Sequence, residues 1–434
     1  MRQMKDSGIE WIGKIPETWE VKRLKNLCTS NESMIADGDW IESPDISDEG
    51  IRYYTTGNIG DGVFKNQGNG FISESTFNKL NCTAVYPGDL VFSRLNNPIG
   101  RACIIPNNYP ICIVAVDNVI VRPDSKYDKR FLVYISMCPG YQETNMLIAR
   151  GTTMQRMSRS QLQNVDMPIP PLADQQRIAD YLDENCGEID SLIGLQEQMI
   201  EKLKAYKQSV ITEAVTKGLD PNAKLVPSGI DWIGEVPEGW SKDKVIRCFK
   251  KIGSGTTPKS TDDNQFQGDI NWLQSGDING TDLFEASKHI SEQTLTSYSA
   301  LSVYKAPFII IAMYGASVGN ISISHIDACV NQACCVLSFS NLNFKYAFYA
   351  LKSAKPYLIY RAEGGGQPNI SQDKLKSLWI PRPQMNEQYA IASYLDEKCA
   401  DIDRLIALKQ QKIESLKDYK KSVIYEAVTG KTEI

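Results

Sequence analysis

The sequence predicts an α/β (mixed α+β) chain in which two globular domains alternate with two long antiparallel coiled-coil helices, related by a pseudo-two-fold internal repeat. Three observations predict it. A short phrase occurs twice, a long segment with helical character occurs twice, and the blocks between them are of domain size but differ in sequence. At 434 residues, the chain also exceeds what one hydrophobic core usually organises.

The short phrase opens each half of the chain. SGIEWIGKIPETW begins at Ser7, and SGIDWIGEVPEGW begins at Ser228. The spacing WIG-x-x-P-x-x-W fits either a partner-docking patch or a turn pinned by two aromatic rings. We favour the structural interpretation for its tryptophans, which are Trp11 and Trp19, then Trp232 and Trp240.

The long segment begins at Tyr181 and again at Tyr394, an offset of 213 positions without a gap, with about two positions in three identical. The order of short phrase, variable block and long segment therefore occurs twice. It predicts a first domain, a first helical spacer, a second domain and a second spacer, at 1–165, 166–226, 227–380 and 381–434. Weak sequence similarities between the two variable blocks, such as the alignment of Gly100 with Gly319, indicate one fold that carries two different sequences.

Each long segment follows a proline cluster and opens with a polar, acidic turn, which is a helix-start signal. Seam residues then recur at alternating gaps of three and four, the spacing of a coiled coil. In the first segment they are Ile189, Leu192, Gln196, Met199, Leu203, Tyr206 and Val210. In the second they are Ile402, Leu405, Lys409, Lys412, Leu416, Tyr419 and Val423, with Ile406 and Ile413 widening the stripe.

Charge predicts how the two helices meet. Acidic residues crowd the first half of each helix and lysines crowd the second half, a distribution that also suits the helix dipole. Antiparallel pairing places acid beside base at both ends, whereas parallel pairing places acid beside acid. The alternative is that each helix packs separately on its own domain. The acidic early turns are our candidates for contact with partner proteins.

The net charge of −5 hides a basic region. Residues 94–165 contain nine Lys+Arg against four Asp+Glu, whereas residues 166–217 contain five against ten. Binding depends on such local fields, so nucleic acid is not excluded. No apolar stretch resembles a signal peptide or a membrane span, and the eleven cysteines are scattered without a C-x-x-C pair. We therefore expect a cytoplasmic chain with reduced cysteines.

Catalytic patterns are absent from the sequence. GSGTTPKS resembles a phosphate-binding loop, but Pro258 occupies the position of its second glycine. NNPIG, from Asn96 to Gly100, lacks the second proline and the aromatic residue of an amino-methylating loop. The two histidines, His289 and His325, share no metal-ligand spacing. We expect neither an active site nor a metal site.

Two segments carry a specific resemblance. MKDSGIEWIGKIPETWEVKRLKNL, from Met4, and IPPLADQQRIADYLDENCGEIDSLI, from Ile169, resemble the specificity subunit of Type I restriction-modification enzymes, as do their repeats. The resemblance implies a non-catalytic subunit whose variable blocks are target recognition domains. Each domain would read one half of a bipartite, asymmetric site in double-stranded DNA. The helices would set the spacer between the two halves.

The resemblance also implies partners. Two methylation subunits would dock on the helices and methylate adenine with S-adenosylmethionine, and two restriction subunits would add ATP- and magnesium-dependent translocation and cleavage. This chain would bind no cofactor itself. Two alternatives stay open. One is a non-catalytic coiled-coil scaffold that binds proteins only, and the other is a fused, self-sufficient restriction-methylation polypeptide.

Side chains that contact DNA are expected to be Arg and Lys at phosphates, and Arg, Gln, Asn, Ser and Thr at bases. In the first block we predict Arg94, Arg150, Gln155 and Arg156, with Arg101 and Arg159 as phosphate clamps. In the second block we predict Lys250, Lys251, Thr257, Lys259, Gln274, Asn320, Gln367 and Asn369. The alternative for each residue is an ordinary solvated side chain.

Overall fold

The computed structural model describes residues 2–151, 154–259, 262–362 and 369–434. By its contacts the chain divides into two compact units, Met1–Glu197 with Gln410–Ile434, and Gln198–Lys409. Each unit holds one short phrase, one variable block and part of both long helices. The four segments predicted from sequence order remain a prediction.

Strands of the first unit are β1 (Met4–Asp6), β2 (Lys14–Pro16), β3 (Glu20–Arg23), β4 (Met34–Asp37), β5 (Ile51–Tyr54), β6 (Phe71–Ile72), β7 (Leu90–Ser93), β8 (Ala102–Ile104), β9 (Cys112–Val114), β10 (Asn118–Arg122) and β11 (Asp166–Ile169). Its short helices are α1 (Glu74–Lys79), α2 (Lys129–Ser136), α3 (Pro139–Ile148) and α4 (Arg159–Gln163). The long helix α5 (Leu172–Lys217) begins in this unit and ends in the other.

Strands of the second unit are β12 (Leu225–Pro227), β13 (Glu235–Pro237), β14 (Ser241–Lys244), β15 (Phe249–Gly253), β16 (Ile270–Leu273), β17 (Asp282–Leu283), β18 (Lys288–Ile290), β19 (Phe308–Ala312), β20 (Ile321–Ser324), β21 (Cys329–Val330), β22 (Cys334–Ser340) and β23 (Trp379–Arg382). Its short helices are α6 (Val245–Cys248), α7 (Glu292–Ser297), α8 (Phe344–Ser353), α9 (Lys355–Tyr360) and α10 (Gln372–Ser377). The second long helix is α11 (Met385–Val428).

The two units have the same sheet topology. In the first, the antiparallel sheet β4-β10-β7-β8 is accompanied by β6-β5-β9, in which β5 is antiparallel to β6 and parallel to β9. In the second, β15-β22-β19-β20 is extended by β17 and accompanied by β18-β16-β21, with the same directions. Strand pairs β1-β2 and β3-β11 match β12-β13 and β14-β23. The prediction of one mixed α/β fold carrying two sequences is confirmed.

The central sheet of each unit is buried on both faces, because alternate residues along its strands enter different cores. In β10, Val119 and Val121 pack in the core that contains Phe131 of α2, while Ile120 packs with residues of β5 and β9. In β19, Ile309 and Ile311 share a core with α8, and their neighbours face the other way. This accounts for the continuous apolar run at Phe308–Ala312. No helix among the described residues is long and apolar enough to cross a membrane.

The repeated short phrase packs against the end of a long helix. In the first unit Tyr425 of α11 donates its hydroxyl to the carbonyl of Trp11 at 3.1 Å, and Trp19 is fully buried. Gly430, just beyond α11, has φ +68° and packs beside Trp19 and so closely on Pro16 that a side chain there would clash with the proline ring. In the second unit Gly218, just beyond α5, has φ +75°, and an added Cβ would make a tight contact with Trp240. These contacts support the structural interpretation for Trp11, Trp19 and Trp240.

The helices run antiparallel within each unit, as predicted. In the first unit Lys420 of α11 pairs with Asp190 of α5 at 2.7 Å, and Leu182, nearer the start of α5, shares a core with Val428 at the end of α11. In the second unit Lys207 pairs with Asp403 at 2.6 Å. The two ion pairs are equivalent under the offset of 213. Complementary charge, the basis of the prediction, is therefore realised in both units.

Three of the seven seam positions predicted in each helix are wrong by one residue. Ile189, Gln196, Leu203 and Val210 are buried or half-buried, as predicted, but the structure buries the neighbours of the other three and leaves Leu192, Met199 and Tyr206 exposed. The observed positions are Ile193, Ile200 and Lys207. In the second helix the corresponding positions are Ile406 and Ile413, which the predicted stripe already included, and Lys420. A lysine serves in the seam because its aliphatic stem packs while its ammonium reaches a carboxylate.

A buried glutamine fixes each domain to the start of its helix. The side chain of Gln175 accepts from the backbone N–H of Asp128 at 2.8 Å, and Gln388 accepts from that of Asn343 at 2.8 Å. Each also donates to a proline carbonyl five residues upstream, so its amide is paired at both ends. The sequence pattern did not single out these residues.

The acidic early turns, our predicted partner contacts, are engaged within each unit. Asp183 accepts from the hydroxyl of Tyr134 at 2.6 Å and pairs with Arg130 at 2.7 Å. The equivalent Asp396 accepts from the hydroxyl of Tyr349 at 2.7 Å. These carboxylates fasten each domain to its helix, and contact of the acidic turns with a partner stays a prediction.

Candidate nucleic-acid interface

Two loops meet at one edge of the first domain. The loop between β7 and β8 lies beside the segment that follows α3, where Arg150 and Arg156 exchange both backbone hydrogen bonds. The N–H of Asn96 donates to the carbonyl of Gln155 at 3.2 Å. Three predicted DNA contacts, Arg150, Gln155 and Arg156, are therefore brought together, with both arginines exposed.

Arg94 and Arg101 are buried, which corrects our prediction for both. The guanidinium of Arg101 donates to four backbone carbonyls, among them that of Ile59 at 2.5 Å. Arg94 donates to the carbonyl of Val116 at 2.5 Å. Burial lowers the pKa of both guanidinium groups, although nearby aspartates oppose it. Residue type alone suggested phosphate contacts, but these donors are used inside the domain.

Arg156 and Arg159 remain on the surface and are held by carboxylates. Arg156 Nε lies 2.9 Å from Asp117 Oδ1, and Arg159 Nη1 lies 3.3 Å from Asp37 Oδ2. Their side chains are 49% and 44% exposed. Arg94 lies 3.6 Å from both carboxylates, so three arginines surround two aspartates and one positive charge is left over.

The predicted lysines of the second domain are exposed. Lys250 and Lys251 lie on the edge strand β15, where Lys251 Nζ is 4.4 Å from the ring centroid of Tyr304. Lys259 is also exposed, and its backbone N–H donates to the side chains of Gln265 and Tyr298. The side chain of Thr257 bonds to that of Gln332.

Two predicted contacts of the second domain, Gln274 and Asn320, are half-buried and make hydrogen bonds within the domain. Gln274 caps a turn and donates to Ser287 Oγ at 3.2 Å. Asn320 donates to the carbonyl of Ile278 at 3.0 Å and accepts from Lys355 at 2.7 Å. Asn369 is exposed. Gln367 lies outside the described residues.

Arg101 and Asn320 perform the same task in the two domains. Backbone hydrogen bonds place them equivalently, since Ser93 donates to the carbonyl of Arg101 as Ala312 donates to that of Asn320. Each then donates from its side chain to the isoleucine carbonyl that ends a 3-10 turn. The alignment of Gly100 with Gly319 was the sequence signal that could have shown this.

Asp37, Asp117 and Gln332, which were not predicted from the sequence, support or border the predicted contacts. Each comes close to its partner only through the fold. Among the described residues no group of three or more His, Cys, Asp and Glu side chains could hold a metal ion. The cysteines are free thiols, and burial raises the pKa of Cys103 and Cys112 to about 12, well outside the range of a neutral-pH nucleophile.

The two units share one fold but carry different polar side chains at their loop edges, which defines a protein with two related binding domains. Comparison with known proteins identifies the class of protein. The model of the type I restriction modification DNA specificity domain matches residues 16–205 and again 237–418. Two such domains in tandem fit recognition of a bipartite target. The chain belongs to the type I restriction-modification specificity family.

Relatives and solved structures agree with this membership. A putative type I restriction enzyme MjaX specificity subunit of Methanocaldococcus jannaschii is 26% identical, covering 98% of this chain and 96% of the relative. The EcoBI specificity subunit of Escherichia coli is 24% identical over 80% of this chain and 74% of its own length. A chain from a structure of type I R-M complex assembly and conformational transition matches the fold with a TM-score of 0.70 at 18% identity, covering 96% and 99% of the two chains.

Proposed function

We propose that this chain reads DNA for a type I restriction-modification complex, with each domain recognising one half of a bipartite, asymmetric target. The observation that carries the proposal is the pair of domains that share one core strand order and carry unlike side chains at their loop edges. A repeated frame positions two surfaces equivalently, and differing side chains on those surfaces favour two different base sequences.

The proposed DNA contacts are those predicted residues that remain on the surface. In the first domain they are Arg150, Gln155, Arg156 and Arg159. In the second they are Lys250, Lys251, Thr257, Lys259 and Asn369. Arg and Lys suit phosphate oxygens and guanine, whereas Gln, Asn and Thr suit other base edges.

Partner subunits would supply the chemistry. Two methylation subunits with S-adenosylmethionine would methylate adenine, and two restriction subunits with ATP and magnesium would translocate and cleave DNA. This chain would contribute no catalytic group and would work in the cytoplasm.

Exposed apolar side chains on the helices support two equivalent docking sites. The first unit exposes Leu192, Leu195 and Tyr419, and the second exposes their counterparts under the offset of 213, Leu405, Leu408 and Tyr206. A protein surface that presents the same apolar trio twice suits two copies of one partner.

Charged substitutions test this docking. Leu195→Asp should remove one methylation subunit from the purified complex, and Leu195→Asp with Leu408→Asp should remove both, as counted by native mass spectrometry. Gln198→Asp, an exposed substitution on the same helix, is the control. Retention of both subunits by the double variant would place docking elsewhere.

Exchange of residues 20–165 for the corresponding block of another family member tests the reading of half-sites. The exchange should change one half of the methylated target and leave the other half intact. A change in both halves would show that the domains do not read independently.

A further inference from the structure

The charged edge of the first domain, where three arginines surround two aspartates, has an uncharged counterpart in the second domain. Backbone hydrogen bonds define the equivalence. The backbone N–H of Arg94 donates to the carbonyl of Asp117 at 2.8 Å, and the backbone N–H of Met313 donates to the carbonyl of Ala333 at 2.7 Å. Met157 donates to the carbonyl of Arg94, as Ile370 donates to that of Met313. Arg94 therefore corresponds to Met313, and Asp117 to Ala333.

Three further positions follow from this register. Arg156 and Asn369 immediately precede Met157 and Ile370, and Arg159 and Gln372 follow at the same spacing. Asp37 and Ser254 each precede a glycine, Gly38 or Gly255, where an added side chain would clash with a backbone carbonyl. The five charged residues of this edge, Asp37, Arg94, Asp117, Arg156 and Arg159, thus have uncharged counterparts: Ser254, Met313, Ala333, Asn369 and Gln372.

The contact between edge strand and loop is kept while its chemistry changes. Arg159 reaches Asp37 at 3.3 Å in the first domain, and Gln372 donates to Ser254 at 2.9 Å in the second. The fold therefore forms with either a charged or a neutral set. Burying Arg94, whose Nε has no hydrogen bond among the described residues, opposes stability, and the second domain avoids this with a methionine.

We infer that Arg156 reads a guanine in the half-site of the first domain, and that Asp117 is the positioning residue that aims its guanidinium. The inference rests on the proposed function. Asp117 Oδ1 forms an ion pair with Nε at 2.9 Å, although this buried oxygen makes no hydrogen bond among the described residues, and the guanidinium also carries two terminal nitrogens. Those two donors match guanine O6 and N7, the acceptors that arginine reads in the major groove. The side chain of Asp117 is less exposed than that of Arg156, as expected for a residue that positions the guanidinium without contacting DNA itself.

Mapping of methylated sites tests the inference, in cells that express the chain with its methylation subunit. Arg156→Gln should relax one guanine of one half-site by on the order of tenfold, with the other half and the spacer unchanged. Asp117→Asn should relax the same guanine. The double variant should be no worse than Arg156→Gln alone, because both act through one contact.

Two further variants separate positioning from folding and from bulk charge. Arg94→Met with Asp117→Ala copies the residues of the second domain, so it should keep the thermal midpoint of unfolding near that of wild type and still relax the guanine. Asp48→Asn removes an exposed carboxylate from the same domain and should change no position of the motif.

The outcomes are distinct. A wild-type complex that methylates no bipartite motif would overturn the proposed function. A bipartite motif in which Arg156→Gln alters no guanine would overturn the inference alone. If Arg156→Gln relaxes the guanine and Asp117→Asn does not, Asp117 has no positioning role. If Asp48→Asn relaxes the guanine equally, the effect comes from the net charge of the domain and not from a specific contact.

Discussion

Alanine in place of Ile200 should destabilise the chain far more than alanine in place of its neighbour Met199. Ile200 is 6% exposed and Met199 is 43% exposed, although the heptad pattern assigned Met199 to the seam. Truncating a buried isoleucine to alanine costs about 2–5 kcal/mol, since it removes apolar contacts and leaves a cavity. Alanine recovers a few tenths of a kcal/mol through its helix propensity, so we expect about 2–4 kcal/mol for Ile200→Ala. Met199→Ala should stay within about 1 kcal/mol.

The assay is urea unfolding of the purified chain, followed by far-UV circular dichroism. Glu197→Ala, on an exposed face of the same helix, reports the contribution of helix propensity alone. A loss for Met199→Ala equal to or larger than that for Ile200→Ala would refute the observed seam and restore the one predicted from the sequence.

Gln388→Leu should cost about 2–6 kcal/mol in the same assay, because the half-buried N–H of Asn343 and the buried carbonyl of Pro383 each lose a partner at about 1–3 kcal/mol. A change below the error of the assay would contradict this. Asp124→Asn should lower stability at neutral pH but not in acid. Hydrogen bonds, chiefly from Thr29, lower the pKa of Asp124, so its contribution is complete above the ordinary value of about 3.9 and is lost as pH falls through the lowered pKa. A difference from wild type that persisted in strong acid would contradict this origin.

The repeat made the architecture predictable, because each copy had to adopt the same structure and charge then determined how the helices pair. Lys420 with Asp190 and Lys207 with Asp403 are the ion pairs that this reasoning requires. The seam was only half predictable. Apolar residues are adjacent at Met199 and Ile200, so spacing alone cannot choose between them, and the packing of the partner helix decides.

The candidate interface was less predictable than the fold. Arg94 and Arg156 are of the same residue type and belong to the same predicted cluster, yet one is buried and the other is exposed. Burial depends on the carbonyls and carboxylates that tertiary structure brings together, and Asp117 lies far from Arg156 in sequence. Only the matched backbone hydrogen bonds of the two domains distinguish structural residues from those free to read DNA.

The most direct test of the whole account is methylome sequencing of cells that express this chain with its methylation subunit. The account predicts an interrupted motif with two unlike halves, methylated only when this chain is present. A stable complex of the two proteins that methylates no such motif would contradict it and would favour a scaffold that binds proteins only.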